Sequence, residues 1–349
     1  MVSALSRATT RAISRRSSLS ATPSRENRAG TEVIRAGYSP RLVGGVAWIF
    51  PGQGSQKAGM GRELASSFTS AKGIFADAND VLGFDLARLC FEGPDDELQQ
   101  TANAQPALLV TSLAALAAAR ETVGAVAAPS LLAGHSLGEF TALVAAEVLV
   151  FADALRLVRR RGELMQAADP SGGMLAVIGL DAEAAARAIV GTGCVVANDN
   201  APGQVVVSGA KAALEQASAV LSGAGAKRVL PLRVSAAFHS PAMRPVGEAL
   251  ASVMSAVPFR DARVPVVSNV DAEPHTRALE FPGLLARQAY SPVRWVASVR
   301  RIHSEGVDRF IEFGAGAVLT GLVKRIVPGA SAFAVQDPRS LEEATPVLR

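Results

Sequence analysis

Cysteine is scarce in this chain: Cys90 and Cys194 are the only two in 349 residues. Two thiols exclude a disulfide framework and a four-thiolate zinc site, and they fit a reducing compartment. Histidine is scarce too, with His135, His239, His275 and His303 the only four, so a general base has few candidates. Charged residues make up 19% of the chain against 49% hydrophobic, a balance that excludes a disordered or coiled-coil protein. The longest uncharged stretch, residues 98–119, is broken by Asn103, Gln105 and Pro106. It falls short of the roughly 20 apolar residues of a membrane helix, so no membrane association is expected.

Acidic charge is nearly missing from the start of the chain. Residues 1–45 hold eight arginines, two glutamates and no lysine, so their excess of positive charge is larger than the net +4 of the whole sequence. A nucleic-acid partner would need that charge on a folded face. Here it lies in a Ser-, Arg-, Ala- and Thr-rich segment with no apolar block, read as a disordered extension over residues 1–44, and nucleic acid is not expected as a partner. The segment has no secretory core. It leaves two origins open: a cytoplasmic bacterial protein whose gene is read from an early start codon, or a mitochondrial or plastid transit peptide.

What the sequence does contain is an alternation of short apolar runs and helical patterns. Val46 to Phe50 reads as a buried strand stopped by Pro51 and Gly52, and Ser130 to Ala133 as a second. Between them lie helical patterns over 60–70, 71–81 and 106–120, the last with Pro106 in its first turn. Strands alternating with helices imply a mostly parallel sheet covered on both faces. Residues 172–234 depart from this and read as β-α-β-β-α-β, a ferredoxin-like unit inserted into the larger one. The expected organisation is an α/β-hydrolase-like catalytic subdomain over 45–171 and 235–335, the insertion between its two parts, and a tail over 336–349.

Gly134-His135-Ser136-Leu137-Gly138 matches the G-x-S-x-G nucleophile elbow, with an apolar strand before it and a helix after it. In that context Ser136 stands exposed at the carboxyl end of the sheet, and the helix N-terminus behind it favours a developing oxyanion. His239, in a loop just after the insertion, is either its base or a packed loop histidine. His275 and His303 read as surface residues, and His135 as structural because its side chain points away from the serine.

Three segments in order and register, Phe50-Pro51-Gly52-Gln53-Gly54-Ser55-Gln56, Gly134 to Glu139, and Phe238-His239-Ser240, resemble malonyl-CoA:acyl carrier protein transacylases. The resemblance extends over about residues 46–327. It implies Ser136 as nucleophile, His239 as general base, and the backbone N–H groups of Gln53 and Leu137 as oxyanion hole. It further implies Arg161 as the clamp on the malonyl carboxylate and the Gln288 backbone carbonyl as the group that orients the histidine. Phe238 would set malonyl selectivity. The implied substrates are malonyl-CoA and the phosphopantetheine thiol of acyl carrier protein, in fatty-acid or polyketide synthesis, with no metal or other cofactor and a monomer expected. Ser291, where the family often has asparagine, departs from the pattern near the histidine. Two rival readings are a serine esterase or thioesterase using Ser136, Asp271 and His303, and a non-catalytic scaffold that binds acyl carriers.

Overall fold

The computed structural model describes residues 44–168 and 171–349; residues 1–43, and with them the expected extension, lie outside the described residues. Its strands in chain order are β1 (Gly45–Phe50), β2 (Leu131–Gly134), β3 (Gly172–Ile178), β4 (Val195–Ala201), β5 (Gln204–Ala210), β6 (Arg228–Pro231), β7 (Val266–Val267), β8 (Pro274–His275), β9 (Val307–Phe313) and β10 (Ser331–Val335). Six form one sheet in the order β10-β9-β1-β2-β7-β8. All its pairings are parallel except that of β7 with β8.

Every residue of β1 is buried, because the alternation of its side chains feeds two cores. Val46, Trp48 and Phe50 join the cluster built on helix Thr101–Val123. Ala47 and Ile49 join the opposite one, with Trp295, Val299 and Ile302 of helix Trp295–Ser304 and Leu319, Val323 and Ile326 of helix Val318–Ile326. The sheet is thus covered on both faces.

The other four strands form an antiparallel sheet, β4-β5-β3-β6. One face carries helices Ala182–Ala188 and Lys211–Gly223, which pack Ala185, Leu214, Ala217 and Leu221 on Leu175, Val177, Val205 and Val207. On the other, Met174, Ala197 and Val206 meet Met165, Ala236 and Phe238, and Met174 and Val206 share a cavity with Gln53 and Ser136 from the loops after β1 and β2.

Three expectations need correction. The helix expected to start at Pro106 starts at Thr101 and runs through the proline. Proline has no N–H to offer the carbonyl four residues back, and here Arg159 Nη1 donates to that carbonyl, Ala102 O, at 3.1 Å. This helix is long and apolar enough to cross a membrane by composition, the only such helix among the described residues, yet nearly all of its apolar window is buried inside the protein. Thirdly, residues 336–349 are not a tail: Pro338–Leu348 is a helix that buries Leu341, Ala344 and Leu348 in the larger core. A capping box starts it, in which Asp337 accepts from Ser340 N and the Asp337 N–H donates to Ser340 Oγ.

Candidate active site

β2 ends at Gly134 and helix Leu137–Ala145 begins three residues later, leaving the turn to His135 and Ser136. Ser136 sits at φ 51° and ψ −104°, a strained conformation for a residue with a Cβ. The turn is too tight for side chains at its flanks. A Cβ on Gly134 would lie 1.8 Å from the carbonyl carbon of Gly138, and one on Gly138 would lie 2.1 Å from Phe50 O. The second clash shows how closely the end of β1 presses on the elbow, and a Cβ on Gly52 in the loop after it would lie 2.3 Å from His135 O; Gln53 and Leu137 thus reach the wall of one cavity with Ser136. Leu137 opens its helix, so its N–H has no carbonyl within the helix to bond.

Asn269 holds the strained turn. Its Oδ1 accepts from Ser136 N at 2.7 Å, and its Nδ2 donates to Gly134 O at 2.7 Å. Its own backbone N–H donates to Glu139 Oε2 at 3.0 Å.

His239 is buried, at φ 56°, in the loop after the antiparallel sheet. Its Nε2 lies 2.8 Å from Ser136 Oγ, and its Nδ1 lies 2.9 Å from Gln288 O and 3.2 Å from Ser291 O. Carbonyls only accept, so Nδ1 carries the proton and Nε2 is free to accept from the serine hydroxyl. Burial, reinforced by the Arg161 charge, lowers the His239 pKa to about 3. The imidazole is therefore neutral at ordinary pH.

Of the three consecutive arginines in helix Phe151–Ala167, Arg159 and Arg160 pair with Glu163 near the surface. Arg161, 100° further round, is 1% exposed. Its Nη1 donates to Gln105 Oε1 at 2.7 Å, and its Nη2 to Gln288 Oε1 at 3.0 Å and to Ser136 Oγ at 3.1 Å. Burial lowers its pKa to about 10, against the pull of Glu139, and it stays charged. Glu139 is itself pushed up to about 7 by burial, although Gln288, Asn269 and Ser268 hydrogen-bond it.

Ser136, His239, Arg161, Gln53 and Leu137 line a cavity of about 400 Å³ whose apolar wall includes Met174, Val206 and Phe238, and Gln288 backs His239 and Arg161. The structure thus brings Ser136, His239, Arg161, Gln288, Gln53, Leu137 and Phe238 together. It does not assemble the rival triad: Asp271 faces His275 at 3.2 Å, and His303 Nδ1 lies 2.9 Å from Val307 O. His135 Nε2 bonds Asn200 Oδ1 at 2.8 Å with its ring against Trp295, away from the serine hydroxyl. Gln105, Glu139 and Asn269 had no role in the sequence reading. Asn269 had a signal, since it follows β7 at the carboxyl end of the sheet, where open α/β folds collect their ligands. Gln105 had a weaker one, as an amide inside an apolar helix.

A family profile described as acyl transferase domain matches residues 47–337. The malonyl CoA-acyl carrier protein transacylase of Bacillus subtilis strain 168 is 45% identical over 311 residues, 87% of this chain and 97% of that protein. The transacylase of Escherichia coli K12 is 45% identical over 304 residues, 85% of this chain and 98% of its own length. Among solved structures, an acyl carrier protein S-malonyltransferase from Vibrio cholerae superposes with a TM-score of 0.83 at 44% identity, covering 86% of this chain and 99% of that one. A malonyl-transacylase in complex with the acyl carrier protein of a type II polyketide synthase does so with 0.83 at 45% identity, over 86% and 99% of the two chains. The chain belongs to the acyl transferase domain family, among relatives that are malonyl CoA-acyl carrier protein transacylases.

Proposed function

We propose that the protein transfers the malonyl group of malonyl-CoA to the phosphopantetheine thiol of acyl carrier protein through a malonyl ester on Ser136. His239 Nε2 takes the hydroxyl proton as Ser136 Oγ attacks the thioester carbonyl, and the N–H groups of Gln53 and Leu137 receive the oxyanion. As the tetrahedral intermediate collapses, the C–S bond breaks and the imidazolium returns its proton to the departing CoA sulfur. In the second half the carrier thiol gives its proton to His239, its sulfur attacks the ester, and Ser136 leaves as the hydroxyl. Two backbone carbonyls take the place of a carboxylate behind the histidine. They fix its tautomer without adding negative charge, and the chemistry calls for no cofactor.

The observation that carries this reading is a buried, charged guanidinium whose Nη2 reaches Ser136 Oγ at 3.1 Å. A guanidinium binds carboxylate in planar, two-point fashion, and the malonyl carboxylate lies one methylene from the carbonyl that Ser136 attacks. Phe238 on the cavity wall crowds a 2-methyl branch and so favours malonyl over methylmalonyl. The order β-α-β-β-α-β and the antiparallel arrangement of β3 to β6 support reading residues 172–234 as a ferredoxin-like insertion that closes the cavity over an α/β-hydrolase-like subdomain. The scheme calls for no residue of a second copy, and a monomer is part of the proposal.

The test is order of release. Mixed with malonyl-CoA alone, the protein should liberate one equivalent of CoA, and holo acyl carrier protein added afterwards should collect the malonyl group. Release of CoA only when the carrier is present would contradict a ping-pong mechanism.

A further inference from the structure

Gln288 touches His239, Arg161 and the backbone of Ser136. Its backbone carbonyl accepts from His239 Nδ1, its Oε1 accepts from Arg161 Nη2, and its Nε2 donates to Ser136 O at 2.9 Å. A side-chain amide is nearly symmetric in shape, and its two ends differ only in that one donates and the other accepts. Turned over, this amide would aim its NH₂ at Arg161, donor against donor, and the guanidinium would have to move.

Two acceptors oppose that turn. One is Ser136 O. The other is Glu139 Oε2, which accepts from Gln288 Nε2 at 2.7 Å and from Asn269 N at 3.0 Å. Glu139 is 1% exposed, stands in the first turn of the elbow helix, and does not touch the serine hydroxyl. No step of the transfer needs it, yet it holds the far end of the amide that aims Arg161.

We propose that Glu139 is a positioning residue: its Oε2 selects the end of the Gln288 amide that faces Arg161, and so sets the guanidinium for the substrate carboxylate. This rests on Arg161 being the malonyl clamp. The part that matters is an acceptor at the Oε2 position rather than negative charge. Glu139→Gln keeps that acceptor without the charge, and Glu139→Asp keeps the charge but withdraws the acceptor by one methylene.

The experiment measures kcat/KM for malonyl-CoA and acetyl-CoA with the full-length protein. Glu139→Gln should stay within about threefold of wild type for both. Glu139→Asp should lose about tenfold to a hundredfold on malonyl, the scale of leaving a buried amide donor unpaired, and less on acetyl, which does not use the clamp. In a Gln288→Ala background the malonyl-specific part of the Glu139→Asp loss should vanish, because no amide is left to orient, while any cost through the contact of Oε2 with Asn269 N falls on both substrates alike. A loss with Glu139→Gln as large as with Glu139→Asp would assign the effect to charge and overturn the proposal. Fully additive losses in the Gln288→Ala background would do the same. Arg161→Ala assayed alongside separates the two levels: if it leaves the malonyl-to-acetyl ratio unchanged, the clamp itself fails, whereas a changed ratio with unresponsive Glu139 variants refutes the positioning role alone.

Discussion

Replacing Arg161 with alanine should convert a malonyl-selective enzyme into a poor and unselective one. The guanidinium is 1% exposed and donates to Gln105, Gln288 and Ser136, so the malonyl carboxylate that meets it gives up its hydration. Breaking a buried ion pair by removing one partner costs about 3–5 kcal/mol. At 1.36 kcal/mol per factor of ten, malonyl kcat/KM should fall by roughly a hundredfold to several thousandfold. Alanine also removes the hydrogen bond to Ser136 Oγ and strands the Gln105 and Gln288 oxygens. Those losses fall on every acyl group alike and cancel in a ratio. Acetyl carries no charge to leave unpaired, so the malonyl-to-acetyl ratio of kcat/KM, measured by CoA release with saturating carrier protein, should fall by about a hundredfold or more. Equal loss on both substrates would refute the clamp and leave Arg161 as a structural cation.

Three further outcomes follow from the geometry. Ser136 and His239 share a proton across 2.8 Å, so the Ser136→Ala/His239→Ala double variant should be no slower than the worse single one; multiplied losses in single-turnover transfer would show that they do not share a step. Gly138→Ala would place a methyl 2.1 Å from Phe50 O, with backbone on both sides, and should cost about 1–3 kcal/mol or more; a melting temperature within a degree of wild type would show that the elbow has slack. His239 has its pKa lowered from 6.5 to about 3, so the rate of acylation should show no imidazole step near pH 6.5. The same shift bears on stability with a definite sign. Below 6.5 the unfolded chain binds a proton that the folded one refuses, so this group's contribution is lost as pH falls toward 3. An imidazole step near pH 6.5 in the wild-type acylation rate would contradict the depressed pKa, and so would a loss of stability between pH 6.5 and 3 that is undiminished in His239→Gln.

The parts of the site legible in the sequence are those set by local backbone constraints. A serine between two glycines, after an apolar strand and before a helix, admits few conformations, and the structure adopts the elbow that G-x-S-x-G implies. The three arginines at 159–161 could be reduced to one inward-facing member by helical angle, but which one depended on what the helix packs against. Gln105, Glu139 and Asn269 illustrate what stays hidden. Each is a buried polar residue satisfied by partners distant in sequence, as Asn269 is by Ser136 and Gly134, and no local pattern announces such pairs. The C-terminal helix was a different failure: Asp337 and Ser340 form a readable cap that the reading of residues 336–349 as a tail passed over. Pro338 occupies the first turn, where its missing N–H costs nothing.

The central claim, that Ser136 carries the acyl group, is tested most directly by intact-protein mass after mixing with malonyl-CoA in the absence of carrier protein. Wild type should gain the mass of a single malonyl group and lose it when holo acyl carrier protein is added, while Ser136→Ala should gain nothing. A malonyl adduct of equal occupancy on Ser136→Ala would place the covalent intermediate on another residue and contradict the mechanism.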